Sequence, residues 1–171
     1  MFRPLAAALI LAATLSACDG SQDGTSISLN STDSDGHVVA SIDGNSGAVA
    51  INAPGFSGKI KLPKLHLDSK DFDMNGVHLY PDSTISAMNI DAHSGGKAGD
   101  DDDSGTVRVS FASPASTATV RDWYQQKLTA AGFTLSASGN GLVGTTNEKK
   151  PFKLDLSPDG ADKSKGTITV S

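Results

Sequence analysis

The sequence has few of the residues that stabilise a fold by cross-linking or by large buried rings. It contains one cysteine, Cys18, so no disulfide can form within the chain. Aromatic residues make up 5% of the chain, whereas glycines number 18. Stability must therefore come from a core with few large side chains, and the many glycines favour short β-strands over a helix bundle.

Basic residues are also in the minority. The chain has 14 lysines and arginines against 19 aspartates and glutamates. Nucleic acids and anionic lipid headgroups are bound through clusters of lysine and arginine. We therefore expect no nucleic-acid partner, and no electrostatic attraction of the acidic chain to anionic lipid.

No apolar run is long enough to cross a membrane as a helix. The apolar stretch from Leu5 to about Leu15 is shorter than the roughly 20 residues that a ~30 Å hydrocarbon core requires. It follows the basic residue Arg3 and leads into the tetrapeptide Leu15-Ser16-Ala17-Cys18. A positive start, a short apolar region and small residues before a cut site are the features of a secretory signal peptide.

This N-terminal pattern resembles the signal of bacterial lipoproteins. The resemblance implies that residues 1–17 are removed, that the Cys18 thiol receives a diacylglycerol and that the new amino group is acylated. It also implies that Leu15, Ser16 and Ala17 are read by the processing machinery, and that Asp19 favours retention at the inner membrane. An ordinary cleaved signal that happens to precede a cysteine is the alternative. Processing would remove one basic residue, leaving 13 basic against 19 acidic residues and a net charge of −6.

An eleven-residue repeat follows the signal. Gly36, Gly47 and Gly58 each precede an alternation of apolar and other residues, with turn-forming residues between the repeats. The pattern predicts either an antiparallel meander of hairpins or a short solenoid. The stretch loosely resembles the β-solenoid repeats of uncharacterised bacterial surface proteins described as adhesins.

A polar segment separates this region from the C-terminal part. Residues 94–105 contain no large apolar side chain and include four consecutive aspartates, Asp100–Asp103. Such a composition predicts a mobile loop or linker. We therefore divide the chain into a signal peptide (1–17), a β-rich repeat region (18–79) and an α+β module (80–171) that contains the loop.

The C-terminal module has the clearest periodicity. Apolar residues alternate from Val107 to Phe111, and a helical pattern then runs from Val120 through Trp123 and Tyr124 to a stop at Gly132. Four short strands are predicted at residues 133–138, 142–145, 152–156 and 167–170. The predicted fold class is α+β, in which the β-repeat is followed by one helix packed on an antiparallel sheet.

The helix motif also resembles a small α+β module of uncharacterised bacterial lipoproteins and exported proteins. The matching residues are a proline-bearing turn, the Val120, Trp123 and Tyr124 pattern and the Gly132-Phe133 ending. The resemblance covers about residues 80–171 and implies a fold and an envelope location. It brings no catalytic residues.

Catalytic and metal-binding motifs are lacking. The four histidines, His37, His66, His78 and His93, show no helical spacing of the kind that zinc proteases use. Asp33-x-Asp35-Gly36 matches part of a calcium loop, but the position of the bidentate glutamate is occupied by Ile42. We expect no catalytic residue, no metal and no cofactor.

The sequence thus predicts a lipid-anchored cell-envelope protein that faces the periplasm and has a non-enzymatic binding or structural role. Its expected partners are the membrane, through the lipid anchor, and an envelope protein or glycan. The alternative is an envelope hydrolase or metal-dependent enzyme that uses an unrecognised set of aspartates and histidines. A groove for lipid or peptide is a third hypothesis.

Overall fold

The computed structural model describes residues 24–33, 36–94 and 103–171, which form thirteen strands and one helix. In chain order they are β1 (Ser26–Asp33), β2 (Gly36–Ile42), β3 (Ala48–Ala53), β4 (Phe56–Lys61), β5 (Leu67–Asp68), β6 (Asp73–Met74), β7 (Val77–His78), β8 (Thr84–Ser94), β9 (Asp103–Ser113), α1 (Thr117–Ala130), β10 (Thr134–Ser138), β11 (Gly141–Thr145), β12 (Pro151–Pro158) and β13 (Ser164–Val170).

Eleven of these strands form one mixed sheet. Its order is β10, β11, β12, β13, β9, β8, β1, β2, β3, β4, and the short strand β5 pairs with the start of β8. All neighbours are antiparallel except β1 and β8, which are parallel. Because β8 pairs with β9 on one side and β1 on the other, the meander and the C-terminal strands share a single sheet.

The predicted α+β class is wrong, because the fold is dominated by this sheet. In the described part of the chain α1 is the single helix, and it covers only the C-terminal strands. The error came from treating the two strand-rich regions separately. A strand has two hydrogen-bonding edges, and β8 uses both of them to join those regions.

Sequence periodicity did not reveal β8, and a β-bulge explains why. The register of β8 against β9 shifts between Ile85 and Ala87, where one extra residue is inserted. The apolar positions Ile85, Met88 and Ile90 are therefore spaced by three and then by two. This irregular spacing hides the alternation that identifies a strand.

The N-terminal repeats form the antiparallel meander, and the solenoid alternative is wrong. β1, β2, β3 and β4 pair in succession, each antiparallel to the next. Gly47 shows why the turn before β3 needs glycine, because its φ is +70° and a Cβ there would lie 1.9 Å from the Leu62 carbonyl oxygen. Antiparallel strands can be joined by such short turns, whereas stacked parallel coils cannot.

The predicted helix and the four strands after it are confirmed. Ser116 is the N-cap of α1, and its hydroxyl accepts a hydrogen bond from the Thr119 N–H at 3.3 Å. The chain leaves the helix at Gly132, whose φ of +91° favours glycine. Val120, Tyr124 and Leu128 form the buried face of the helix, at the spacing that the sequence indicated.

An apolar row crosses the whole sheet, and its residues are buried to different extents. Directly paired residues lie on the same face of a sheet, so the register aligns one residue from each strand. Four central members on β11, β12, β13 and β9 are buried in the core cluster with α1, namely Leu142, Leu154, Ile168 and Val109. On the meander Val49 is buried and Ile27 and Ile42 are half-buried, whereas the two ends of the row are exposed, Ala137 on β10 and Ile60 on β4, the latter by 59%. From β10 to β4 the row is Ala137, Leu142, Leu154, Ile168, Val109, Met88, Ile27, Ile42, Val49 and Ile60.

The connection between β4 and β8 contributes to the core, as the sequence predicted. Val77 and Leu79 are buried in the same cluster as the helix. Of the mobile loop predicted at 94–105, residues 95–102 lie outside the described residues. The structure shows β8 ending at Ser94 and β9 beginning at Asp103.

The one-sided cover predicts unequal effects of substitutions within the row. Leu142→Ala removes a fully buried side chain, so we expect a loss of about 2–5 kcal/mol in the free energy of unfolding. Ile60→Ala, the matched change at the uncovered end, should alter it by less than about 0.5 kcal/mol. Urea denaturation of both variants measures the difference. Equal losses would mean that Ile60 is as well covered as Leu142.

Candidate binding surfaces

A cleft opens between α1 and the segment that precedes β8. Its volume is about 310 Å³, at the small end of the range found for ligand pockets. The walls are mainly apolar, and basic side chains stand among the lining residues. Such a site suits an apolar group that carries an anionic end. The residues that define this Trp123 cleft are Val77, Leu79, Pro81 and Trp123, with Lys70, His78 and Lys127 as the basic lining residues.

Two aromatic rings fix the position of Trp123. Its indole meets Tyr80 edge to face with ring centroids 5.6 Å apart, and meets Tyr124 in the same manner at 4.8 Å. The Tyr124 hydroxyl accepts a hydrogen bond from the backbone N–H of Tyr80 at 3.3 Å. Because edge-to-face contacts are directional, the cleft has a preformed wall.

Burial raises the pKa of Tyr124 above its ordinary range, and the hydrogen bond from the Tyr80 N–H lowers it by less. The ionised form of a buried phenol loses its hydration, so the folded protein holds this group neutral. The folded state therefore keeps its proton at a pH where an unfolded tyrosine, with a pKa of about 10, has lost it. Above that pH the folded state binds more protons than the unfolded state, and stability must fall as the pH rises.

Tyr124→Phe tests this linkage. At pH 7 the variant should lose about 0.5–1.5 kcal/mol, because the half-buried Tyr80 N–H loses its acceptor. Above pH ~10 the wild type should lose up to about 1.4 kcal/mol more per pH unit than the variant, so the two stabilities converge. Urea denaturation across this alkaline range measures the effect. Parallel curves would contradict the neutral, buried assignment of Tyr124.

The Trp123 cleft predicts binding of an amphiphilic anion. Trp123 is the single tryptophan of the chain, so its emission reports directly on the cleft. We expect dodecanoate, used below its micelle concentration, to change this emission saturably. The double variant Lys70→Gln/Lys127→Gln should weaken binding about three- to tenfold.

The control is Lys149→Gln/Lys163→Gln, which removes two exposed lysines outside the residues that line the cleft. Its affinity for dodecanoate should equal that of the wild type. An emission change without saturation, or an equal loss in both double variants, would contradict the assignment of the cleft.

A second cavity, of about 340 Å³, lies beside the β8 bulge and is rich in hydroxyl groups. The Ser86 hydroxyl donates to the Ser110 carbonyl at 3.1 Å, and the Ser110 and Thr167 hydroxyls lie 3.3 Å apart. A nucleophilic serine needs a base within hydrogen-bond reach. Here the Ser86 hydroxyl bonds to the backbone and the Ser110 hydroxyl to that of Thr167, while Asp155 and Lys165 also line the cavity.

The four histidines lie on four different segments, and two of them, His37 and His93, flank Thr32 on the same face of the sheet. His37 is on β2, His66 precedes β5, His78 is in β7 and His93 is on β8. The nearest carboxylate oxygen to His78 Nδ1 belongs to Asp73, at 3.8 Å. Within the described ranges, no three His, Cys, Asp or Glu side chains lie close enough together to hold a metal ion.

Asp43 binds a neighbouring residue of its own turn, Ser46. Its carboxylate accepts hydrogen bonds from the Ser46 N–H at 2.7 Å and from the Ser46 hydroxyl at 2.9 Å. These bonds lower the pKa of Asp43 below its ordinary value, because they favour the ionised form. The residue thus stabilises the turn between β2 and β3.

The residues that the sequence assigned to lipidation and processing lie outside the described residues. They are Leu15, Ser16, Ala17, Cys18 and Asp19. The first of the described residues is Gly24, six positions after Cys18. Thr25 then donates its N–H to the Leu65 carbonyl at 2.7 Å, which fixes where the N-terminal chain enters the fold.

Sequence analysis missed a basic and apolar surface at the β4 edge. Residues 44–67 contain three lysines and no acidic residue, a local bias that the net charge of the chain conceals. Three apolar side chains at this edge are exposed by 45–61%. Lysines alternating with apolar residues were the signal that could have identified it. We call this surface the basic apolar edge and define it by Phe56, Lys59, Ile60, Lys61, Leu62 and Lys64.

Comparison with known proteins identified no relative: no protein-family model, no curated protein and no solved structure matches the chain. Nor does the described part of the chain contain a helix with the length and apolar character needed to cross a membrane.

Proposed function

We propose that this chain is a lipid-anchored protein of the bacterial cell envelope with a non-enzymatic binding role. The observation that carries the proposal is the Leu15-Ser16-Ala17-Cys18 motif directly after a short apolar segment headed by Arg3. In this proposal Cys18 is acylated and becomes the first residue of the mature protein. Leu15, Ser16 and Ala17 are recognised during processing.

The number of acyl chains on Cys18 decides how stably the protein is anchored to the membrane. One acyl chain binds a membrane only marginally, whereas two or three acyl chains together anchor a protein stably. The protein then faces the periplasm, and Asp19 favours the inner membrane by the enteric sorting rule. The first strand begins at Ser26, so the fold starts eight residues after the proposed lipidation site.

The Trp123 cleft supports the binding role. It combines apolar walls with Lys70 and Lys127, which suits a ligand or partner segment that has an apolar group beside a negative charge. An envelope protein or a glycan that carries such a group is the partner that we propose. The resemblance of the Val120, Trp123 and Tyr124 helix to modules of exported proteins supports the same location.

Cys18→Ser tests the anchor. In a bacterial host, the wild type should lose the mass of residues 1–17, gain acyl mass and fractionate with membranes, since the Cys18 thiol accepts the first lipid. The variant should keep the precursor mass, because the lipid-dependent cleavage cannot occur. Intact mass spectrometry separates the two forms even where the uncleaved precursor also remains in the membrane fraction.

Ser21→Ala is the matched control, since it lies beyond the motif and should be processed like the wild type. Cleavage and soluble release of both the wild type and Cys18→Ser would refute the anchor. Cys18 would then be a free thiol.

A further inference from the structure

We propose that the basic apolar edge rests on the anionic lipid surface of the membrane to which Cys18 anchors the protein. This inference rests on the proposed function and specifies how the anchored domain is oriented.

The edge presents apolar side chains that the fold leaves uncovered. β4 is the last strand of the sheet and pairs only with β3, so its outer backbone groups face away from the sheet. Phe56 is 61% exposed, Ile60 59% and Leu62 45%. Phe56 and Ile60 lie on the same face of β4, and Leu62 continues that alternation beyond the strand. Together they form an apolar line along the strand.

The proposed anchor lies within reach of this edge. Gly24 is six positions after Cys18, which allows a span of at most about 20 Å between the two residues. Gly24 lies at the end of the sheet where β4 ends, because Thr25 donates to the Leu65 carbonyl at 2.7 Å. Leu62 donates its N–H to the Gly47 carbonyl at 2.8 Å in the same region. A lipid on Cys18 therefore holds Leu62 and its neighbours close to the headgroups.

The charge of the edge matches an anionic lipid surface. Among the described side chains, no carboxylate forms an ion pair with Lys59, Lys61 or Lys64. Asp43, at the neighbouring turn, binds Ser46. Lys59 and Lys61 lie on the opposite face of β4 from the apolar line, so the charged and apolar side chains meet only at the open edge of the strand. With this edge against the membrane, the long lysine side chains extend their ammonium groups to the headgroups.

Part of the attraction is offset by the connecting chain. Asp19 and Asp23 lie between the proposed lipid and the fold. Contact of the apolar side chains must therefore contribute alongside the lysines. We expect the contact to depend on anionic lipid and to weaken, rather than disappear, in high salt.

Lipid fits this surface better than a second copy of the chain does. Lysines on an edge strand discourage pairing with another strand, since two copies would bring like charges together. Lipid phosphates carry the opposite charge and accept hydrogen bonds. The same side chains that oppose a β4–β4 dimer thus favour the membrane surface.

The single native cysteine makes a site-specific test feasible. In the lipidated protein the Cys18 sulfur is a thioether, so an introduced cysteine is the only free thiol. We would label Leu62→Cys with an environment-sensitive fluorophore in the full-length acylated protein and reconstitute it into phosphatidylcholine vesicles with or without phosphatidylglycerol. Ser136→Cys, exposed on β10 at the opposite edge of the sheet, is the control site.

We expect the Leu62 probe to shift to the blue and to be quenched by spin-labelled lipids in vesicles that contain phosphatidylglycerol. The Ser136 probe should remain exposed to water. Reversing the charge of Lys59, Lys61 and Lys64 to glutamate should lower the quenching about fivefold or more. The same change at Lys149, Lys150 and Lys163, which are exposed outside the basic apolar edge, should leave it unaltered.

Several results would overturn the inference. If the acyl mass is verified but the Leu62 probe is as exposed to water as the Ser136 probe, the edge does not contact the membrane, although the lipid anchor still holds. If the protein carries no acyl mass, both the lipid anchor and the membrane contact of the edge are refuted. If the Leu62 probe is shielded from water to the same extent with and without vesicles, and the protein has the mass of a dimer, the edge contacts a second copy of the chain instead. Phe56→Cys, at the far end of β4, provides a second probe site, and the emission of Trp123 verifies folding.

Discussion

The pairing of β8 with two neighbours holds this fold together. Its antiparallel register with β9 and its parallel register with β1 align the apolar positions of ten strands into one row. Thr25 strengthens this junction, because its buried hydroxyl donates to the Ile85 carbonyl and accepts the Leu67 N–H. Without the Thr25 hydroxyl, the Ile85 carbonyl and the Leu67 N–H would lose these hydrogen bonds, which would lower the stability of the fold. The meander therefore depends on β8 for its attachment to the covered core.

The unequal cover of that row produces both surfaces on which the functional argument depends. One helix of fourteen residues and the segment before β8 cover the C-terminal strands, and the Trp123 cleft forms where these two covering elements meet. Neither reaches the far edge, so β4 presents apolar side chains to the surroundings. A domain that leaves such a line of apolar side chains uncovered commonly uses it for contact with a partner or a membrane. In our proposal the lipid anchor brings that line to a membrane.

Local signals predicted local structure well. The helix face of Val120, Tyr124 and Leu128 and the alternation in β12 and β13 arise from side chains that are near one another in sequence. The class of fold was predicted wrongly because it depends on β8, where the bulge breaks the apolar period. The Trp123 cleft could not be predicted, since Lys70 and Lys127 meet there only through tertiary packing. The basic apolar edge was visible as a local charge bias, but its exposure was not.

The sequence by itself determined the short apolar segment that ends at Cys18, the helix, and the turns that glycine makes possible, because each depends on a few consecutive residues. Only the tertiary structure decided which face of each strand is covered. An alternating strand indicates that one face is apolar, but not whether another layer lies on it. Leu142 and Ile60 carry similar side chains in the same row, and the packing of α1 and of the segment before β8 makes Leu142 part of the core, whereas Ile60 lies beyond both on the edge strand.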